Sequence, residues 1–177
     1  MDNTKSLEFG VSELYYSIYD ENNKTYSKPK KMAAAANFSL TAYEETLKFK
    51  GLDGIEIDVE TTGAGYDGTI SVYALSTQFL QDAWGYEIAE NGLITEKQST
   101  GNKQIAILYT SNPYRYVFYN CRIKRPNIEL ETVTKQTNIN KINLKISIRP
   151  TEDAEKKIRS LCSKSCSLYN DWFNGVV

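Results

Sequence analysis

KINLKISIR, residues 141 to 149, places Ile142, Leu144, Ile146 and Ile148 on one side of an extended chain and Asn143, Lys145, Ser147 and Arg149 on the other. Period-two alternation of this kind marks a strand in an antiparallel sheet with one face against a core. Weaker versions recur at 13–19 (ELYYSIY), 37–42 (NFSLTA), 46–50 (TLKFK), 55–60 (IEIDVE), 69–75 (TISVYAL), 104–110 (QIAILYT), 114–123 (YRYVFYNCRI) and 127–133 (NIELETV). Short strands at this spacing predict a mainly β fold, an antiparallel sandwich or barrel-like arrangement. GYDG at 65–68, TGNK at 100–103 and SNP at 111–113 supply the Gly, Asn and Pro of tight turns, so 104–110 and 114–123 are expected to pair.

Two segments read as helix. In STQFLQDAWG (76–85), Ser76 or Thr77 caps the first turn, Phe79, Leu80, Ala83 and Trp84 form an apolar stripe, and Gly85 stands at the C-cap. TEDAEKKIRSL (151–161) follows Pro150, begins acidic and ends basic, as a helix dipole prefers, with a thin apolar face of Ala154, Ile158 and Leu161. KPKKMAAAA (28–36) reads as a polar loop entering a strand. Neither a repeat nor a linker divides the chain, so residues 1–177 read as one domain.

Composition narrows the chemistry. With 21 basic and 22 acidic residues the net charge is −1, and nothing forces a nucleic-acid face. The opening MDNTKSLEFGVSELYY has no apolar run of signal-peptide length, and no eighteen-residue apolar stretch follows, so neither export by signal peptide nor membrane spanning is expected. Three cysteines, unevenly placed, fit reduced thiols of a cytosol. The absence of histidine removes the Ser-His-Asp and Cys-His pairs and mixed zinc sites. Cys162 and Cys166, four apart on a helix, would suit a disulfide poorly and read as ordinary thiols. GAGYDG precedes a strand and is no phosphate loop.

Glu56, Asp58 and Glu60 stand at every second position of IEIDVE, one row on one strand face. Carboxylates roughly 7 Å apart in a line cage no metal. A glycosidase pair is conceivable by spacing, but nothing else marks a sugar site, and a solvated face is the plain alternative. Neither a cofactor nor a metal is expected, and no enzymatic role. Thirteen tyrosines fit a core, a protein interface, or a stacking platform for sugars or single-stranded nucleic acid.

RYVFYNCRIKRPNIELETVTKQTNINKINLKISIRP (115–150) resembles the C-terminal half of the major tail proteins of long-tailed, non-contractile phages and prophages of Gram-positive bacteria, through Phe118, Tyr119 and Asn120, then Arg125 and Pro126, then the strand ending at Pro150. GYDGTISVYAL (65–75), FLQDAWGYEIAENGLI (79–94) and YNDWF (169–173) are similar to the same family, in the same order. The resemblance implies a β-sandwich with a flanking helix, an N-terminal arm at about 1–12, a long loop at about 44–67 and a C-terminal extension at about 151–177. It implies a structural virion protein, assembled in the bacterial cytoplasm, whose six-fold rings stack into a hollow tail tube around a tape-measure protein, with tail terminator and distal tail proteins as further partners. Double-stranded DNA passes through such a tube without specific binding. Subunit contacts are expected at Tyr66, Gly68, Tyr119, Asn120, Arg125, Pro126, Trp172 and Phe173, and the acidic lumen wall at Glu56, Asp58 and Glu60 or at Glu129 and Glu131. A carbohydrate- or receptor-binding β-sandwich and the tube of a phage-derived bacteriocin are the alternatives.

Overall fold

The computed structural model describes residues 10–33, 36–50, 54–97, 101–126 and 141–176, with backbone alone at 36, 46–49 and 56–62. The chain is mainly β. In order come β1 (Glu13–Asp20), β2 (Thr25–Tyr26), β3 (Lys30–Ala33), β4 (Ala36–Lys50), β5 (Glu56–Val72), α1 (Thr77–Trp84), β6 (Glu87–Ile88), β7 (Ile94–Thr95), β8 (Ile105–Ser111), β9 (Tyr114–Ile123), β10 (Ile142–Arg149) and β11 (Arg159–Cys162). One antiparallel sheet runs β2-β1-β8-β9-β10-β5-β4, with β3 added to β1 and β11 to β9, while β6 and β7 form a separate small hairpin.

This sheet curls on itself. Four strand spacings separate β8 from β4, about 19 Å on a flat sheet, yet the rings of Phe38 on β4 and Tyr109 on β8 stack 4.9 Å apart. The enclosed side holds Leu14, Tyr16, Ile70, Val72, Ile107, Phe118, Leu144, Ile146 and Ile148. Helix α1 closes it with Phe79, Ala83 and Trp84, and the Trp84 indole N–H donates to the Ile123 carbonyl at 2.9 Å. Both helix signals act as expected: the Ser76 side chain accepts from the Phe79 N–H, and Gly85 is left-handed at φ 68°.

A second apolar cluster lies on the opposite side of β8 and β9, made by Ala106, Leu108, Val117, Tyr119, Cys162 and Trp172. Strand β8 is therefore buried on both faces, which explains its unbroken apolar run. On β9 the parity changes midway. Ile107 is opposite Phe118 but Ile105 is opposite Cys121, so β9 holds one extra residue there. The bulge returns Cys121 and Ile123 to the first core after Val117 and Tyr119 have faced the second.

Three expectations fail. GYDG (65–68) is no turn but the middle of β5, where Gly65 and Gly68 serve crowding: a Cβ on Gly65 would stand 2.2 Å from the Ile148 carbonyl oxygen, and one on Gly68 2.0 Å from that of Ser39. Of the long loop expected at about 44–67, residues 44–50 and 56–67 are instead strand, paired as β4 and β5. Residues 151–161 do not form a helix. Asp153 draws in the N–H groups of Glu155 and Lys156, Lys156 sits at φ 51°, and Arg159–Cys162 joins β9 as β11. The run at 28–36 yields strand β3, with Met32 and Ala33 buried. The stretch 127–133 lies outside the described residues.

Candidate assembly surface

The β4–β5 hairpin outgrows the sheet that carries it. Strand β10 pairs with β5 only from Tyr66 to Val72, whereas β4 pairs with β5 from Val72 back to Glu56. Residues 56–65 of β5 thus have β4 as their only strand partner among the described residues, and they form an arm of roughly 30 Å at ordinary strand rise. Beyond the arm, β4 closes one end of the strand order.

The acidic positions 56, 58 and 60 fall on this arm, with Lys50 opposite Glu56, Lys48 opposite Asp58 and Leu47 opposite Glu60 in the backbone register. The step from Lys48 to Leu47 is matched by two residues on β5, so a bulge interrupts the alternation within the row. The three side chains lie outside the described residues, as do Glu129 and Glu131.

Where the arm meets the body, Arg149 organises the junction. Its Nη2 donates to both carboxylate oxygens of Asp67, its Nη1 to the carbonyls of Tyr66 and Ile148, and its guanidinium lies 4.7 Å over the Tyr43 ring. Tyr43 also bonds the Glu45 carboxylate, which, with some burial, raises its phenol above the usual value. Beside this junction the outward side of β5 and β10 forms a recess of about 450 Å³ lined by Asp67, Thr69, Lys124, Lys145, Ser147 and Arg149. Its cationic character follows from the polar half of the INLKISIR alternation, a signal present in the sequence whose charge the acidic row overshadowed.

The eight expected contact residues do not gather into one patch. Tyr119 is buried and donates its hydroxyl to Ser160 at 2.8 Å. Trp172 is buried with its indole N–H on the Tyr116 carbonyl at 3.1 Å, and Phe173 stacks on Tyr15 at 4.6 Å. These three belong to the second apolar cluster of their own chain. Tyr66 packs beside Phe118, and Gly68 sits in the crowded ladder between Leu40 and Ile146. Asn120 donates to the Pro150 carbonyl at 3.0 Å. Arg125 pairs with Glu96 and lies over Tyr86, with Pro126 half-buried next to it.

A second recess, about 310 Å³, opens among Tyr19, Tyr26, Gln104, Thr151, Glu152 and Asp153. Burial pushes the Tyr26 phenol far up, and its hydroxyl donates to the Tyr119 carbonyl at 2.8 Å. Asp153 is held below the usual carboxylate range, chiefly by the Thr151 hydroxyl, with the Lys156 and Glu155 N–H groups adding to it. No group of metal-ligating side chains occurs among the described residues, and no described helix is long and apolar enough to cross a membrane.

No family model matches the chain, and no curated protein matches it. Among solved structures the chain is similar to the anti-feeding prophage cap, the AFP tube terminating cap, at 10% identity over 92% of this chain and 96% of that one, with a TM-score of 0.38. It is likewise similar to the sheath/tube terminator of an extracellular contractile injection system, PVC, in the extended state, at 10% identity over 90% of this chain and 100% of that one, TM-score 0.38. A chain of the PVC sheath-tube complex in the extended state matches at 10% identity over 90% of this chain and 94% of that one, TM-score 0.35.

Proposed function

We propose that this chain is a structural tail-tube subunit of a long-tailed phage or prophage, assembling with its own copies into stacked rings around a tape-measure protein and meeting terminator and distal tail proteins at the tube ends. The observation that carries the reading is the β4–β5 arm. An isolated two-stranded hairpin is marginally stable in water, and one that projects past its last supporting strand, from the end strand of a sheet, is built to be completed by another surface. The family resemblance of residues 65–75, 79–94, 115–150 and 169–173 supports the same reading. No enzymatic step belongs to it.

Within this reading the lumen wall is assigned to carboxylates, because duplex DNA binds through cations that neutralise phosphates and a conduit must not hold its cargo. Glu56, Asp58 and Glu60, or Glu129 and Glu131, fill that role, and the cationic side of β10 faces elsewhere. Tubes of an E56K/D58K/E60K variant that eject DNA normally would remove the first set. The assembly itself is tested by sedimentation and negative-stain microscopy of concentrated full-length protein. Rings or hollow tubes that grow with concentration are expected. A strictly monomeric species at every concentration, with or without the tape-measure partner, sinks the reading.

The Tyr19–Tyr26 recess favours a second reading, a carbohydrate-binding module. It offers two rings 5.0 Å apart at their centroids beside an amide and two carboxylates, the mix that a sugar's faces and hydroxyls require. Glycan-array binding by the isolated monomer, lost on Tyr19→Ala, would favour it.

A further inference from the structure

The missing helix at 151–161 changes the position of two thiols. On a helix, Cys162 and Cys166 would be held apart by the axial rise. Instead Cys162 is the last residue of β11, opposite Arg115 in the β9 register. The chain then turns back at once, the Cys166 N–H donating to the Ser163 carbonyl at 2.9 Å. This return sets the two side chains beside each other on one face of the cluster, close enough to interact, with the Cys162 S–H turned to the Ser163 carbonyl at 3.5 Å. Both pack on the second apolar cluster, yet Cys162 is buried at 2% exposure and Cys166 is partly open to solvent.

We propose that Cys162 and Cys166 are a redox modification site, which closes to an intramolecular disulfide by exchange with a low-molecular-weight disulfide. The two sulfurs are prepared unequally. The neighbouring Cys162 thiol and then the Leu168 N–H hold the Cys166 thiol below the usual value. Burial, then the contact with Cys166, pushes Cys162 up to about 11, and the nearby Arg115 guanidinium partly offsets this. A thiolate is the attacking species in exchange, so Cys166, open and acidified, attacks first. Its sulfur bonds to one sulfur of the external disulfide and expels the other half as thiolate. Cys162 then loses its proton and attacks the Cys166 sulfur, expelling the second half. The balance is two protein thiols and one external disulfide giving one protein disulfide and two external thiols. The oxidised form ties the end of β11 to the segment that carries Tyr169, Trp172 and Phe173 across the second core. This inference stands whether or not the chain forms tubes.

Cys121 is an internal control. It is fully buried, burial raises its thiol, and its S–H faces the Phe118 carbonyl at 3.6 Å. Trypsin supplies the readout, since it cuts after Lys164, between the two cysteines. Native full-length protein is incubated with excess oxidised glutathione, alkylated in denaturant and digested. The expected result is a fall from three free thiols to one, at Cys121, with peptides 160–164 and 165–177 recovered joined and separable by reductant. Retention of all three thiols, or a glutathione adduct that stays on Cys166 without joining the peptides, overturns the proposal. In Cys166→Ser, Cys162 is expected to remain a free thiol under the same treatment. Glutathione on Cys162 at the wild-type rate would overturn the assigned order of attack.

Discussion

Nη2 of Arg149 donates to both carboxylate oxygens of Asp67, at 3.0 and 2.9 Å, and so joins β10 to β5 where β10 stops supporting the arm. The pair is partly open, with side chains 39% and 50% exposed, so solvent screening limits what the charges alone contribute. The remaining hold comes from the carbonyls of Tyr66 and Ile148 that the same guanidinium binds. Arg149→Ala is therefore expected to cost roughly 1 kcal/mol and Asp67→Asn less than that, as read by the urea midpoint at constant slope. Equal losses would show that the carboxylate alone anchors the guanidinium.

Glycines inside β5 are expected to be far more sensitive than glycines in loops. Gly68→Ala and Gly65→Ala drive a methyl into carbonyl oxygens of the neighbouring strands. Backbone cannot rotate away as a side chain can, so each is expected to lose roughly 3 kcal/mol. Gly101→Ala, with nothing within 4 Å, is the matched control and should leave the melting temperature unchanged.

Stability should fall at both ends of the pH range through one cluster. Asp82 accepts from Tyr16 at 2.9 Å, from Lys30 at 2.6 Å and from Gln78 at 2.9 Å, tying α1 to β1 and β3. Burial works to raise the Asp82 carboxyl, but these donors outweigh it and hold the group below the usual range. Its contribution is therefore complete above the ordinary carboxylate value and disappears as pH falls through the lowered one. Burial, then the Asp82 bond and charge, pushes the Tyr16 phenol far up. That contribution is complete below the ordinary phenol value of about 10 and fades as pH rises beyond it. Chemical denaturation across pH should show Asp82→Asn flattening the acid limb and Tyr16→Phe flattening the alkaline limb. Slopes that persist in both variants would assign the dependence to other groups.

The arm should be separable from the body. Replacing residues 45–63 by Asn-Gly, a two-residue hairpin turn, removes no strand pair made with β10, which begins at Tyr66. The expected product unfolds at the wild-type midpoint and sediments as a monomer under the conditions in which the full-length chain is expected to assemble. Assembly undiminished by the excision would place the contacts on the body.

What the sequence made legible was local. Helix α1 could be read because Ser76 and Gly85, its two ends, act on backbone groups within a few residues. The β8–β9 hairpin could be read because Asn112 and Pro113 lie between two strand-like apolar runs. Gly65 and Gly68 misled because glycine answers two needs, a turn and a crowded ladder, and only Ser39 and Ile148, far along the chain, reveal which applies. Residues 151–161 carried true helix signals, but Asp153 could cap a turn equally well, and the free edge of β9 beside Tyr116 and Phe118 took Arg159–Cys162 as a strand. The Arg149–Asp67 junction joins residues 82 positions apart, and no periodicity encodes such a meeting. The acidic row was visible as spacing, yet the bulge that interrupts it depends on β4.

The β4–β5 ladder holds two such irregularities, one between Glu45 and Thr46 and one between Leu47 and Lys48. A plain two-stranded ribbon can slide one notch and exchange its sides. A bulge has a single seat, so each acts as a detent against that slippage. Their combined effect is to set the reach and pitch of the ribbon within one polypeptide, so any larger object made by docking these ribbons takes its repeat distance from the monomer instead of negotiating it during growth.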